Sequence, residues 1–166
     1  MTRRTITLAL LAVGLAVAVV ASASAAAGEV VRGGGAQLTL PDGWSKVVTR
    51  DTRVDDPRTL LVVGTDGVKA IDSDCQVSAY RVPADGAVVV VLGWRDSVGG
   101  SSLMPLSGMK LRRGTFDCFA GRGAVGRLTR RDRDFQLNVM VGDRASAATI
   151  DAAFDAVKSF GAAPRA

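Results

Sequence analysis

Only two cysteines occur among the 166 residues, at positions 75 and 118. They bracket Ala87-Val-Val-Val-Val-Leu92, the most strand-like run in the chain, and a Gly/Ser/Pro loop. Paired as a disulfide, Cys75 and Cys118 would clasp the domain around a buried hairpin, so the fold must bring both positions within bonding reach. A bridge across 43 positions stabilises by about 4 kcal/mol on chain-entropy grounds, comparable with the net stability of many small domains. The alternatives are a catalytic thiol or a metal ligand. Both are weakened because the chain has no histidine, which removes Cys–His and Ser-His-Asp arrangements and most zinc sites.

The compartment supports the bridge. Thr2-Arg3-Arg4 is a basic opening, Ile6 to Val20 is almost purely apolar, and Ala21-Ser-Ala-Ser-Ala-Ala-Ala27 supplies small-x-small positions. That is the pattern of a Sec-type signal peptide over residues 1–27, cleaved after Ala25 or Ala27. The competing reading is an uncleaved membrane anchor, since the apolar stretch is nearly long enough to span a bilayer. No cysteine stands at the cleavage region, so attachment as a lipoprotein is not expected. Exported chains are where disulfides persist.

Past the leader, residues 28–36 with Gly33-Gly34-Gly35 read as a flexible linker. Residues 37–161 read as one domain of ordinary size, and 162–166 as a tail. Gln37-Leu-Thr-Leu40 alternates up to a turn at Pro41-Asp-Gly43, after which Ser45–Arg50 is placed to pair back. Thr59-Leu-Leu-Val-Val63 and the Val-rich run read as buried strands. Cys75, Val77 and Ala79 share one parity, as do Phe116, Cys118 and Ala120, which points both cysteines inward. Phe135, Leu137, Val139 and Val141 alternate against Gln136, Asn138 and Met140, predicting a strand with one buried face. Ala147, Ile150, Ala153, Phe154 and Val157 then fall at helical spacing, with Ser146 as N-cap and Gly161 as the stop. The fold class expected is α+β: a mostly antiparallel sheet of about six or seven strands, a C-terminal amphipathic helix packed on one face, and one disulfide.

Leu38-Thr-Leu-Pro41-Asp-Gly43-Trp44 resembles the entry of small exported PsbP-like domains, found in many actinobacterial secreted proteins and lipoproteins. The ending, Arg133-Asp-Phe135-Gln-Leu-Asn-Val-Met-Val-Gly142 and a helix closing on Val157-Lys-Ser-Phe160, is similar too. The resemblance spans essentially the whole chain after the leader. It implies an antiparallel sheet flanked by helices and, in most such domains, no catalysis. The excess of Arg over Lys, with Glu29 the sole glutamate, fits a GC-rich, actinobacterial genome.

No catalytic motif stands out. Gly121-x-Gly-x-x-Gly126 matches the dinucleotide fingerprint literally, but it precedes a charged turn and a strand where a phosphate site needs a helix N-terminus. The dyads Asp55/Asp56 and Asp72/Asp74 lack the regular spacing of a calcium loop and read as turn residues. No cofactor and no metal is expected. The charge distribution says more. After the leader, 19 basic and 16 acidic side chains leave +3, yet Lys110 to Arg133 alone carries eight basic residues against two acidic ones. Lys110, Arg112, Arg113, Arg127, Arg130, Arg131 and Arg133 are therefore the candidate contact with an anionic surface such as phospholipid headgroups or wall polymers. Nucleic acid fits poorly, because the chain is exported and only Phe116 and Phe119 interleave the arginines. The expectation is an exported, non-enzymatic domain with a binding or accessory role at the cell envelope, meeting that surface or another exported protein. The alternative is an Asp-dependent hydrolase of envelope material, which requires two facing carboxylates in a cleft.

Overall fold

The computed structural model describes residues 28–50, 54–73, 78–95, 105–116 and 118–163. At its centre is β7 (Ala87–Gly93), every residue of which is buried. A strand with four consecutive valines has no polar face to show to water, so it must be covered on both sides. It sits third in an antiparallel six-stranded sheet ordered β3 (Trp44–Lys46), β4 (Arg58–Thr65), β7, β10 (Arg133–Val141), β9 (Phe119–Arg130) and β8 (Arg112–Phe116). β7 and β10 pair in continuous register from Ala87↔Val141 to Gly93↔Phe135.

Register then sorts side chains onto two faces. On the first face, Leu61, Val63, Val89, Val91, Phe135, Leu137 and Val139 form one cluster with Ala153, Ala156 and Val157 of α1 (Ala147–Lys158). The same cluster takes in Val31, Ala36 and Leu38 from a three-stranded sheet, β1 (Val30–Gly33), β2 (Ala36–Thr39) and β11 (Gly161–Ala162). On the second face, Val62, Val88, Val90, Leu92 and Met140 pack with Val47 and Tyr80. Tyr80 belongs to a two-stranded sheet of β5 (Lys69–Ile71) and β6 (Ala79–Arg81). A single 3-10 turn, Leu106–Gly108, lies over β9.

The C-terminal helix forms as its spacing predicts. The Ser146 side chain accepts a hydrogen bond from the Thr149 amide at 3.0 Å, satisfying one of the amides that a helix N-terminus leaves open. Its apolar stripe lies against β7 and β10.

The fold class needs correction. In place of one sheet of six or seven strands, the described residues form eleven strands in three sheets. Residues 28–36 supply β1 and a Gly34–Gly35 turn with φ of 56° and 82° instead of a linker. Glycine flexibility serves a tight hairpin as readily as a loose tether. β3 pairs with β4, not back onto β2, so the Pro41–Gly43 turn carries the chain from one sheet to the next. The disulfide expectation falls on Cys75, which lies outside the described residues; Cys118 itself is not a free thiol. Cys118, expected on an inward strand face, is exposed with φ of 71°, one residue before Phe119 in the β8–β9 connection. Strand parity does not carry through such a turn, because Phe116 pairs directly with Phe119. The leader, residues 1–27, also lies outside the described residues. No helix among those residues is long and apolar enough to cross a membrane.

Tyr80 is the one buried side chain whose polar atom, the hydroxyl, finds no hydrogen-bond partner among the described residues. The nearby Ser78 hydroxyl donates instead to the Arg50 carbonyl at 2.9 Å. Burial pushes the Tyr80 phenol above its ordinary 10.0, so at high pH the unfolded chain loses this proton first. Stability from this group is level below pH 10.0 and is lost as pH rises through the folded-state value. Tyr80→Phe is therefore expected to raise the unfolding free energy by about 1 kcal/mol at neutral pH, by removing an unmade hydrogen bond. Its advantage should widen above pH 10.0; urea titrations of both proteins across that range provide the check, and a destabilised variant would contradict the reading.

Candidate functional site

The basic residues singled out from the sequence lie on β8, β9 and β10, or just before them, but register divides them between faces. Arg112 pairs across from Gly123, and Arg127 across from Gln136, which places both on the second face. Arg113 and Arg122 face one another on the first, as do Arg130 and Arg133. Lys110 precedes β8 and is exposed. Twelve-residue β9 rises about 3.3 Å per residue, so its two ends cannot share one small contact.

Several of these cations already have work. Arg113 Nη2 meets Asp143 Oδ1 at 2.9 Å, with both side chains solvent-exposed; such a pair contributes at most about 1 kcal/mol. The Arg112 guanidinium lies 5.6 Å from the Phe116 ring centre, and that of Arg133 lies 5.2 Å from the Phe135 ring. Arg133 also donates to the Gly34 carbonyl. Arg127 Nε donates to Gln136 Oε1 at 2.7 Å, and Gln136 Nε2 donates to Asn138 Oδ1 at 2.9 Å. This chain of amides, with Asp134 accepting from the Thr129 hydroxyl at 2.5 Å, makes a buried polar row on β10 where the sequence suggested a solvated face. Satisfied polar groups can be buried at little cost.

Arg130 and Arg131 differ: both are exposed, and neither side chain makes a hydrogen bond, ion pair or ring contact among the described residues. Arg130 ends β9, and Arg131 is the first residue of the turn into β10. Arg131 and Asp132 connect β9 to β10 with φ of 49° and 57°, and Arg130 pairs with Arg133. A two-residue connection with both φ values positive matches the right-handed twist of the strands, but for residues other than glycine it costs about 1 kcal/mol each. The two arginines are thus held out on a stiff tip.

Among the described residues, the dyad carboxylates are each engaged by a different partner. Asp55 pairs with Arg58 at 3.5 Å, Asp56 accepts from the Arg95 amide at 3.1 Å, and Asp72 pairs with Arg50; Asp74 lies outside. No group of three or more Cys, Asp or Glu side chains among the described residues is placed to hold a metal ion. The Gly121–Gly126 fingerprint lies wholly inside β9. Gly126 has a packing reason: a Cβ there would come within 2.6 Å of Met109 Sδ and 2.8 Å of Leu106.

One cleft of about 490 Å³ opens at the opposite edge of the sheet, where no residue pattern had pointed. It is lined by Ser45–Val48 and Arg50 on one side and by Thr65–Ala70 on the other. Its lining cations, Lys46, Arg50 and Lys69, outnumber the one lining carboxylate, Asp66, with Asp72 paired to Arg50, and they are too far apart in sequence to register as a charge run. No family model matches this chain, and no curated protein matches it.

Proposed function

We propose that this is an exported, non-catalytic domain that acts by binding at the cell envelope, with the β9–β10 tip as its contact for anionic groups. The observation that carries the reading is the pair Arg130–Arg131: exposed, unengaged among the described residues, and projected from a turn whose backbone is fixed at positive φ. A rigid tip keeps the entropy cost of contact low, and guanidinium groups suit phosphate oxygens. The leader composition supports delivery outside the cytoplasm. The PsbP-like resemblance implies an antiparallel sheet flanked by helices; the described residues hold the antiparallel sheet and one α-helix.

The test is co-sedimentation of the processed chain with phosphatidylcholine vesicles, with and without phosphatidylglycerol, across a salt series. Binding should require the anionic lipid and weaken as salt rises. Arg130→Ala with Arg131→Ala should weaken it about thirtyfold, at about 1 kcal/mol per cation near such a surface. Undiminished binding by that double variant would remove the tip from the mechanism.

A further inference from the structure

The segment after β3 has the composition of a strand but not the pairing of one. Val47-Val48-Thr49 is wholly β-branched, a type that favours the pleated conformation. The Val47 amide donates to the Val62 carbonyl at 2.9 Å, and there the ladder stops. The backbone groups of Val48 and Thr49 make no hydrogen bond among the described residues. For Val48 the cause is alternation, which turns its amide and carbonyl away from β4. Farther along, β4 shifts its register with β7 between Thr59 and Leu61, and the extra residue there, Leu60, lies against Gly33 and Gly34 of the β1–β2 hairpin.

Across the cleft stands a second open edge. Among the described residues β5 pairs with β6 alone, so its other side offers backbone amides and carbonyls beside Lys69 and Ala70, which line the same cleft. Where the segment ends, Arg50 pairs with Asp72, just beyond β5. The cleft therefore runs between two extended, unsatisfied stretches of backbone. Val48 is 76% exposed within this setting; alone, one exposed valine would mean nothing.

We propose that this cleft is a strand-acceptor site: an extended, acidic segment of another exported protein adds beside Val48–Thr49, its carboxylates meeting Lys69 and Arg50. Strand addition draws affinity from main-chain hydrogen bonds and selectivity from the flanking side chains. Alternation along the strand turns the Val48 amide away from β4, since the Val47 amide points toward it. Lys69 makes no ion pair among the described residues, and the Arg50–Asp72 pair is solvent-exposed and so is readily exchanged. Lys46 Nζ donates to the Arg32 carbonyl at 2.9 Å, which ties down its position, so it adds mainly positive field. The same lysines discourage pairing between copies of this chain, leaving the edge open to a partner of opposite charge.

Fluorescence anisotropy with the processed chain and a short, end-capped peptide of alternating valine and aspartate tests the site. Binding should weaken by at least about tenfold when the peptide backbone is N-methylated at its valines, since main-chain bonds carry the affinity. Lys69→Glu should cause a similar loss. Val48→Pro, which removes the outward amide, should abolish binding, while Val48→Ala retains it. Arg130→Ala with Arg131→Ala should leave it unchanged, so this site and the β9–β10 tip fail independently. No binding of the aspartate peptide, binding that survives N-methylation, or equal binding of a lysine-for-aspartate peptide would each overturn the proposal. So would phosphatidylglycerol binding that Lys69→Glu weakens while the peptide stays unbound, which would make the cleft a lipid contact.

Discussion

Phe135→Ala is expected to lower the unfolding free energy by about 3–5 kcal/mol, the range for truncating a fully buried aromatic. Phe135 is 1% exposed and lies where three layers meet. Its β neighbours are Gly93 on β7 and Leu128 on β9. Its ring meets that of Phe160, just past the helix, edge-on at 5.1 Å between centroids. The Arg133 guanidinium closes the solvent side. Truncation leaves a void that a strand paired on both sides cannot collapse to fill. Phe160→Ala should cost less, because that residue is only partly buried. The double variant should show a coupling of about 0.5–1.5 kcal/mol, the edge-to-face contribution beyond burial. Arg133→Ala should cost about 0.5–1 kcal/mol, as an exposed cation–π contact does. Urea midpoints at unchanged slope measure all four; a loss below about 1 kcal/mol for Phe135→Ala would show that the sheet and helix are not one packed unit.

The elements that could be read from the sequence are those whose pattern is local. Helix α1 announces itself by spacing and a cap, and the first face of β10 by its alternation. The second face of β10 misleads because Gln136 and Asn138 look like solvent-facing residues. They are buried because Gln136 donates to Asn138 and accepts from Arg127, and hydropathy cannot distinguish a bonded amide from a wet one. Long-range pairing was equally hidden. Nothing in Trp44–Lys46 says that its partner is β4 and not β2, because side-chain period fixes a face but not a neighbour. The arginine-rich stretch was visible as a charge count, yet only register shows that Arg113 and Arg127 stand on opposite faces. The strand-acceptor cleft had no sequence signal, since its cations come from positions 46, 50 and 69 and its open backbone lies where β3 pairing with β4 ends, which no local pattern marks.

Gly142→Ala is expected to be nearly as damaging, at about 3 kcal/mol, for a different reason. Gly142 follows β10, and its amide donates to the Gly86 carbonyl at 2.9 Å. A methyl group there would be driven into the carbonyl oxygens of Pro83 and Ala84. Those oxygens cannot yield separately. Pro83 accepts from the Gly86 amide at 3.0 Å, and Ala84 accepts from the Arg144 amide at 2.7 Å. Moving either one opens the turn that launches β7 or the link that leads into α1. Overpacking against fixed backbone lies at the upper end of the usual 1–3 kcal/mol range, equivalent to a fall of roughly 10 °C in melting temperature for a domain of this size. Gly43→Ala supplies the contrast. Its φ is 74°, but nothing lies within 4 Å of the added carbon, so only backbone strain of about 1 kcal/mol remains. If the two variants melt together, the Pro83–Gly86 turn is not docked on the end of β10, and the junction of β7, β10 and α1 is looser than its hydrogen bonds imply.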